Sequence, residues 1–119
     1  MKLASFVTPA GKATYGLVEG DRVIDLGADR PQAPTLKAFL GTDEFKSGKV
    51  AAKGQDYALS AIKLLPVIPD PGKIVCVGLN YSEHIKETGR SDSEFPVLFL
   101  RTATSQCAHG EPLLKTSHS

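Results

Sequence analysis

The N-terminal part of the chain contains three short runs rich in apolar residues, each as long as a typical β-strand. The runs lie at Leu3–Val7, Thr14–Val18 and Arg22–Leu26. Turn-forming residues separate them, with proline and glycine in the first break and Glu19–Asp21 in the second. The pattern predicts a three-stranded β-meander.

The next stretch has the spacing of a helix. Thr35 can cap a short helix that Gly41 ends. The apolar residues that share one face of this helix are Leu36, Phe39 and Leu40. A second helix is predicted between Asp43 and Ile62, although two glycines inside it lower its helix propensity.

A proline-rich segment follows and marks a boundary. Three prolines fall within six residues of Leu65–Gly72, which excludes helix and forces extended backbone. We therefore place a linker at residues 66–72, between an N-terminal α+β domain at 1–65 and a second domain at 73–119.

Two apolar runs in the second domain predict strands. The β-branched run Lys73–Val77 has the character of a buried strand, and Val97–Leu100 predicts another. Cys76 lies inside the first run, so we expect it to be a small core residue. The distant Cys107 does not pair with it at the spacing of a redox dithiol or a zinc ribbon.

The composition is that of a globular protein and narrows the classes of partner. Of 119 residues, 41% are apolar and 23% charged, which suits one modest core. The 14 basic residues balance 13 acidic ones and are scattered, so nucleic acid is not an expected partner. No apolar run approaches the roughly 20 residues that span a bilayer, and the Met1 end has no signal-peptide block, so we expect a soluble, cytoplasmic protein that does not bind membranes.

A candidate catalytic pair follows the first strand of the second domain. Asn80 and Glu83 form a variant of the capping box that predicts a helix start, and Gly89 predicts its end about two turns later. His84 and Glu87 are three residues apart and share one face of this helix. A carboxylate that binds one imidazole nitrogen leaves the other free as a general base. Such a base activates water or removes a carbon-bound proton.

Spacing alone also fits a plain surface pair. A His and a Glu three apart on a polar helix are commonly exposed and contribute a few tenths of a kcal/mol. His109 and His118 have no second ligand at metal spacing, which favours exposed side chains for both. No GxGxxG motif surrounds the glycine before the helix, which disfavours a dinucleotide site.

The wider string favours the catalytic interpretation. It reads KIVCVGLNYSEHIKETG over Lys73–Gly89 and FPVLFL over Phe95–Leu100. This combination of a strand, a glycine, an Asn-Tyr pair, the His and Glu, and a Pro-x-x-Phe strongly resembles the fumarylacetoacetate hydrolase family. The preceding meander, helix and linker look more loosely like the variable N-terminal region of that family.

The resemblance implies an α+β, mainly β fold, in which a small domain of meander and helix precedes the first strands of a β-roll catalytic domain. It implies that His84 and Glu87 are the catalytic dyad, on a segment that orders over the site when ligand binds. Asn80 and Tyr81 would shape the substrate loop, and Arg101 would contact a substrate anion. The family acts on small 2-oxo acids and 1,3-dicarbonyl compounds by hydrolytic C–C cleavage, decarboxylation, isomerisation or hydration.

The chain departs from the family pattern in two ways. Many members carry a lysine where this chain has Arg101, and an arginine stabilises an oxyanion but does not donate a proton near neutral pH. The family also holds a divalent cation with a Glu-x-Glu pair and a later acidic residue, which this chain lacks. We therefore expect Mg²⁺, Mn²⁺ or Ca²⁺ only in the full-length protein, implied to be a homodimer, and expect this chain to be a truncated, inactive N-terminal portion.

Two other functions stay open at this point. The chain can be a non-catalytic binding or oligomerisation module, with the His/Glu segment as a residual fragment. A metal-independent hydrolase would need a nucleophile, for which Ser82 is the nearest candidate. Ser82 is two residues from His84 and faces another direction, and no nucleophile-elbow motif surrounds it, which disfavours this class.

Overall fold

The protein is α+β and mainly β, and it divides into two compact units. The computed structural model describes residues 1–87, 89, 95–115 and 117, without the side chains of Ser82 and His84. The first unit comprises Met1–Asp70 and Gln106–Ser119, and the second comprises Pro71–Ser105. The division between the units falls inside the proline-rich segment, and the chain after Ser105 belongs with the first unit.

A five-stranded antiparallel sheet forms the first unit. Its strands are β1 (Leu3–Val7), β2 (Ala13–Glu19), β3 (Arg22–Asp25), β4 (Asp56–Ala58) and β5 (Lys63–Leu64). They lie in the order β4-β3-β2-β1-β5. The first three are the predicted meander, and tight turns between them set the register, which pairs Leu3 with Leu17 and Val18 with Val23.

The sheet curls, and one of its strands has no side chain at a crowded position. A Cβ at Gly16 would overlap the carbonyl oxygen of Ile24 on the neighbouring strand, so only glycine fits there. The curl brings Phe6 of β1 into edge contact with Tyr57 of β4, although two strands lie between them, with ring centroids 6.1 Å apart. The sheet thereby encloses part of its own core.

Helix α1 (Leu36–Leu40) closes the other side of this core, as the sequence predicts. Thr35 caps it, since its Oγ1 accepts a hydrogen bond from the Ala38 N–H at 3.2 Å. Phe39 is fully buried, 5.3 Å from the ring of Tyr15. Burial raises the pKa of the Tyr15 hydroxyl, which donates a hydrogen bond to the Ala33 carbonyl at 2.9 Å.

The second predicted helix is mostly wrong. Helix α2 (Asp43–Lys46) is a single turn capped by Thr42, and Gly48 then adopts a left-handed φ of 71°. Further on, a Cβ at Gly54 would overlap the carbonyl oxygen of Asp25. The glycines that lower helix propensity here instead let the chain run closely beside β3 and pair with it as β4.

Arg30 ties this long loop to the core. Its side chain is only 14% exposed and lies 5.5 Å from the centre of the Phe39 ring. Its guanidinium donates two hydrogen bonds to Glu44, at 3.0 and 2.6 Å, and one each to the carbonyls of Leu26 and Ala51. One arginine therefore fixes α2 and the following turn on the sheet.

The Arg30–Glu44 pair predicts a pH dependence of stability. Hydrogen bonding to Arg30 lowers the pKa of Glu44 in the folded state. The pair therefore stabilises the fold above the unfolded pKa of about 4.3, and this contribution is lost as pH falls through the lower folded value. We expect the free energy of unfolding of the wild type to fall more steeply with acidification than that of Glu44→Gln.

Urea unfolding followed by circular dichroism, from neutral pH down to about pH 3, measures this difference. Glu19→Gln is the matched control, because Glu19 is exposed at the end of β2, and it should leave the wild-type pH slope in place. A Glu44→Gln protein with the wild-type slope would contradict the assignment.

The proline-rich segment and the chain after Ser105 both pack on the first unit. Ser5 Oγ donates a hydrogen bond to the Val67 carbonyl at 2.7 Å, and Gln106 Nε2 donates one to Ile68 at 3.3 Å. Lys63 and Glu111 form an ion pair of 2.8 Å. Side chains of the first unit therefore hold the start of this segment, which bends at residues 67–70 and 72 where fully extended backbone was predicted.

The second unit is a two-stranded antiparallel hairpin with one helix. Strand β6 (Ile74–Gly78) pairs with β7 (Val97–Arg101), and α3 (Ser82–Glu87) lies between them in sequence. Both strands were predicted. The prediction that the first is buried is wrong, since Val75 is 56% and Val77 49% exposed. Cys76 is half-buried instead of a core residue.

The exposure has a physical cause in the small size of this unit. Among the residues that the structure describes, β6 and β7 have no further strand beside them. A sheet with apolar side chains on both faces needs cover on both.

In the described part of the chain, every helix is too short or too polar to qualify as a membrane span.

Candidate functional site

The candidate site lies where β6 ends and α3 begins. The first helical hydrogen bond runs from the Ile85 N–H to the Tyr81 carbonyl at 3.1 Å. The residue before the helix is therefore Tyr81, one position later than the predicted cap at Asn80. Gly89 has a φ of 65° and donates its N–H to Lys86 at 3.2 Å, which confirms the predicted left-handed stop.

The two residues of the predicted dyad lie in this one short helix. His84 and Glu87 are three residues apart in α3, a spacing at which two positions of a helix share one face. The side chain of Glu87 is exposed. The side chain of His84 lies outside the described residues, as does that of Ser82, so the imidazole–carboxylate hydrogen bond stays a prediction.

The strand register places the other predicted site residues at two ends of the hairpin. Gly78 pairs with Val97 at the end from which α3 leaves, whereas Arg101 pairs with Ile74 at the other end. At about 3.3 Å per residue, these ends are roughly 13 Å apart. Asn80 and Tyr81 thus lie with the dyad, and the backbone of Arg101 does not.

Arg101 lines a groove at its own end of the hairpin. This groove has a volume of about 460 Å³, and Lys73 lines it together with Arg101 and Thr102. Both cationic side chains are exposed. Two cations beside a threonine hydroxyl suit an anionic group such as a carboxylate.

Sequence reasoning missed one residue of this region, Leu79. Its φ is 53°, and it is the one non-glycine residue with positive φ in the described part of the chain. This left-handed backbone costs on the order of 1 kcal/mol for a residue with a Cβ. No local sequence signal indicates it, since leucine has no preference for this conformation.

The neighbouring glycine does not supply the left-handed backbone. Gly78 is not among the glycines with positive φ. A Cβ at Gly78 would make only ordinary contacts, the nearest being 3.5 Å from Phe99. The sharp change of direction therefore occurs at Leu79.

The residues present do not form a metal site. Among described residues, no group of three His, Cys, Asp or Glu side chains is arranged to bind a metal ion. Divalent cations such as Mg²⁺ require several oxygen ligands, and this part of the chain does not fit one. His109 is exposed in a turn, Cys107 is an exposed free thiol, and His118 lies outside the described residues.

Comparison with known proteins finds several relatives of this chain. No family model matches the chain. The chain is 31% identical to the mitochondrial oxaloacetate tautomerase fahd2 of Xenopus laevis, in an alignment 121 positions long that covers 95% of this chain and 38% of that protein. It is 26% identical to the fumarylacetoacetate hydrolase domain-containing protein 2 homolog of Dictyostelium discoideum, over 100% of this chain and 42% of that protein.

A solved structure also matches. An uncharacterized protein from Mycobacterium abscessus superposes with a TM-score of 0.57 at 27% identity, over 88% of this chain and 34% of that one. The chain therefore spans well under half the length of these relatives.

Proposed function

Since this chain belongs to the fumarylacetoacetate hydrolase family, we propose that a longer protein containing it is an isomerase that interconverts the keto and enol forms of a small 2-oxo acid. Oxaloacetate is the first substrate to test. The observation that carries this proposal is the 31% identity to an oxaloacetate tautomerase along 95% of the chain. Hydrolysis or decarboxylation of related 2-oxo acids is the alternative within the family.

The proposed chemistry is proton transfer by the dyad on α3. His84 removes a proton from the carbon beside the ketone, and the electron pair left behind forms the enolate. Water then protonates the enolate oxygen, which gives the enol, and the imidazolium returns its proton to the hydroxide that forms. Glu87, three residues along the same helix, orients the imidazole and stabilises its protonated form.

Substrate binding is proposed for residues at both ends of the hairpin. Asn80 and Tyr81 are exposed beside α3 and would border the reacting carbon. Arg101, with Lys73 in the same groove, would attract the substrate carboxylate. A four-carbon acid is shorter than the separation of these ends, so this contact depends on the reach of the long arginine side chain.

The divalent cation of the family does not fit the described residues, as their side chains form no metal-binding group. We propose that residues outside this chain hold it, in a homodimer of the longer protein. The proposed proton transfers use His84 and Glu87 of this chain.

The test uses an extended version of the protein, as long as its relatives. Decay of the enol absorbance of oxaloacetate in the ultraviolet should be faster with this protein than in buffer, and the 119-residue chain should not accelerate it. Release of CO₂ or cleavage of an acylpyruvate, with no effect on the enol, would indicate the decarboxylase or hydrolase alternative.

A non-catalytic module is the rival from another class. The exposed apolar side chains of β6 and β7, such as Val75 and Leu100, are the feature that favours it, since they suit a protein contact. Calorimetry of the extended protein with oxalate and Mg²⁺ separates the two. An enzyme of the proposed kind should bind oxalate only with the metal, whereas a module should bind neither.

A further inference from the structure

The turn between β6 and α3 carries backbone strain that local sequence preferences do not explain. Leu79 is left-handed at a φ of 53°, although its neighbours are Gly78 and Asn80. Glycine and asparagine are the residue types that adopt this conformation most easily. A turn built by local preference would place the left-handed residue one position earlier or later.

Burial in the turn indicates what this placement achieves. Leu79 is half-buried, whereas Asn80 and Tyr81 are exposed, and Tyr81 is 75% exposed. The left-handed backbone at this position thus partly buries the leucine side chain and leaves the next two side chains exposed to solvent. Moving the left-handed conformation by one residue would change which side chain is partly buried.

The direction of α3 depends on the same backbone angle. Only Leu79, Asn80 and Tyr81 connect the last residue of β6 to Ser82, the first of α3. A change at one residue of so short a connection rotates everything that follows it. Tyr81 also supplies the carbonyl that accepts the first helical hydrogen bond, from Ile85.

We propose that Leu79 is the positioning residue of the candidate site: its left-handed backbone sets the direction of α3 and so the place of His84 and Glu87. It does not touch the substrate. The strain at Leu79 leaves a relaxed alternative in which α3 points elsewhere. The catalytic consequence rests on the proposed function, whereas the structural one does not.

Two substitutions separate backbone conformation from side-chain packing. Leu79→Ile keeps the number of atoms and the apolar character, but branching at Cβ disfavours positive φ. Leu79→Asn removes the apolar contact and favours positive φ. If the backbone conformation at position 79 positions α3, the isoleucine variant should lose helix stability and activity, and the asparagine variant should keep both.

The first measurement needs no substrate. Hydrogen exchange at the Ile85 amide reports the first bond of α3, and we expect it to be about tenfold faster in Leu79→Ile and within about twofold of wild type in Leu79→Asn. Exchange at the Val18 amide, which donates to the Lys2 carbonyl in the first unit, is the internal control and should not change.

The second measurement is steady-state kinetics of the extended protein on oxaloacetate. We expect kcat to fall about tenfold in Leu79→Ile with KM nearly unchanged, and both to stay close to wild type in Leu79→Asn. Loss in both variants, in neither, or in the asparagine variant alone would overturn the inference. An extended wild type without turnover contradicts the proposed function, and the exchange experiment then decides the role of Leu79 by itself.

Discussion

Replacing His84 with alanine in the extended protein is expected to lower the rate of oxaloacetate tautomerisation by about 10²–10⁴-fold, the usual contribution of a positioned general base. The physical reason is that alanine has no group that can take the proton from carbon. Water would have to do so, and water is a much weaker base than an imidazole. Enol absorbance measured under single-turnover conditions gives this rate directly.

A matched histidine controls for nonspecific effects. His109 is exposed in a turn of the first unit, away from α3 in the sequence, and His109→Ala should keep the wild-type rate. Equal losses in the two variants would show that the effect is not specific to α3.

The second large effect concerns the core of the first unit. Phe39→Ala is expected to lower the free energy of unfolding by about 3–5 kcal/mol, the range for removing a buried aromatic ring. Phe39 is fully buried and contacts the rings of Tyr15 and Phe45 as well as the Arg30 guanidinium. The cavity would therefore open at the point where helix, sheet and loop meet.

Urea unfolding of the chain followed by tyrosine fluorescence measures this loss. Leu40→Ala is the matched control, because Leu40 is the next residue of α1 but is 36% exposed, and it should cost far less. Similar losses in the two variants would mean that the packing around Phe39 is not the centre of this core.

Elements with a strong local signal could be predicted from the sequence. Short apolar runs separated by turn residues identified β1–β3, and a side-chain cap with a following glycine identified α1, because these signals act within a few residues. The strand, helix and left-handed Gly89 of the second unit followed from the same kind of signal. Membership of the family could be inferred from the string around His84.

What the sequence did not reveal depends on distant contacts. Gly54 looks like a helix breaker, but its role is to lie against the backbone of Asp25 on β3. The hairpin strands are apolar on both faces, which predicts burial, yet the described residues do not cover them. Local sequence preference does not predict the left-handed backbone of Leu79, because glycine and asparagine adopt this conformation more easily than leucine.

The elements that carry the candidate residues could be predicted better than the positions of these residues relative to one another. His84 and Glu87 do share a short helix, and Asn80 and Tyr81 precede it. The position of Arg101 could not be read from the sequence, since antiparallel pairing with Ile74 sends it to the other end of the hairpin. The register of two strands is set by their side-chain pattern and by the segment that connects them. Neither gives a simple sequence signal for β6 and β7.

Proton removal from carbon by the α3 imidazole is tested most directly by isotope exchange. Oxaloacetate in D₂O is followed by NMR with the extended wild type, His84→Ala and His109→Ala. Wild type and His109→Ala should speed the replacement of hydrogen by deuterium beside the ketone, and His84→Ala should leave it near the rate in buffer. Exchange at the wild-type rate in His84→Ala would contradict the account.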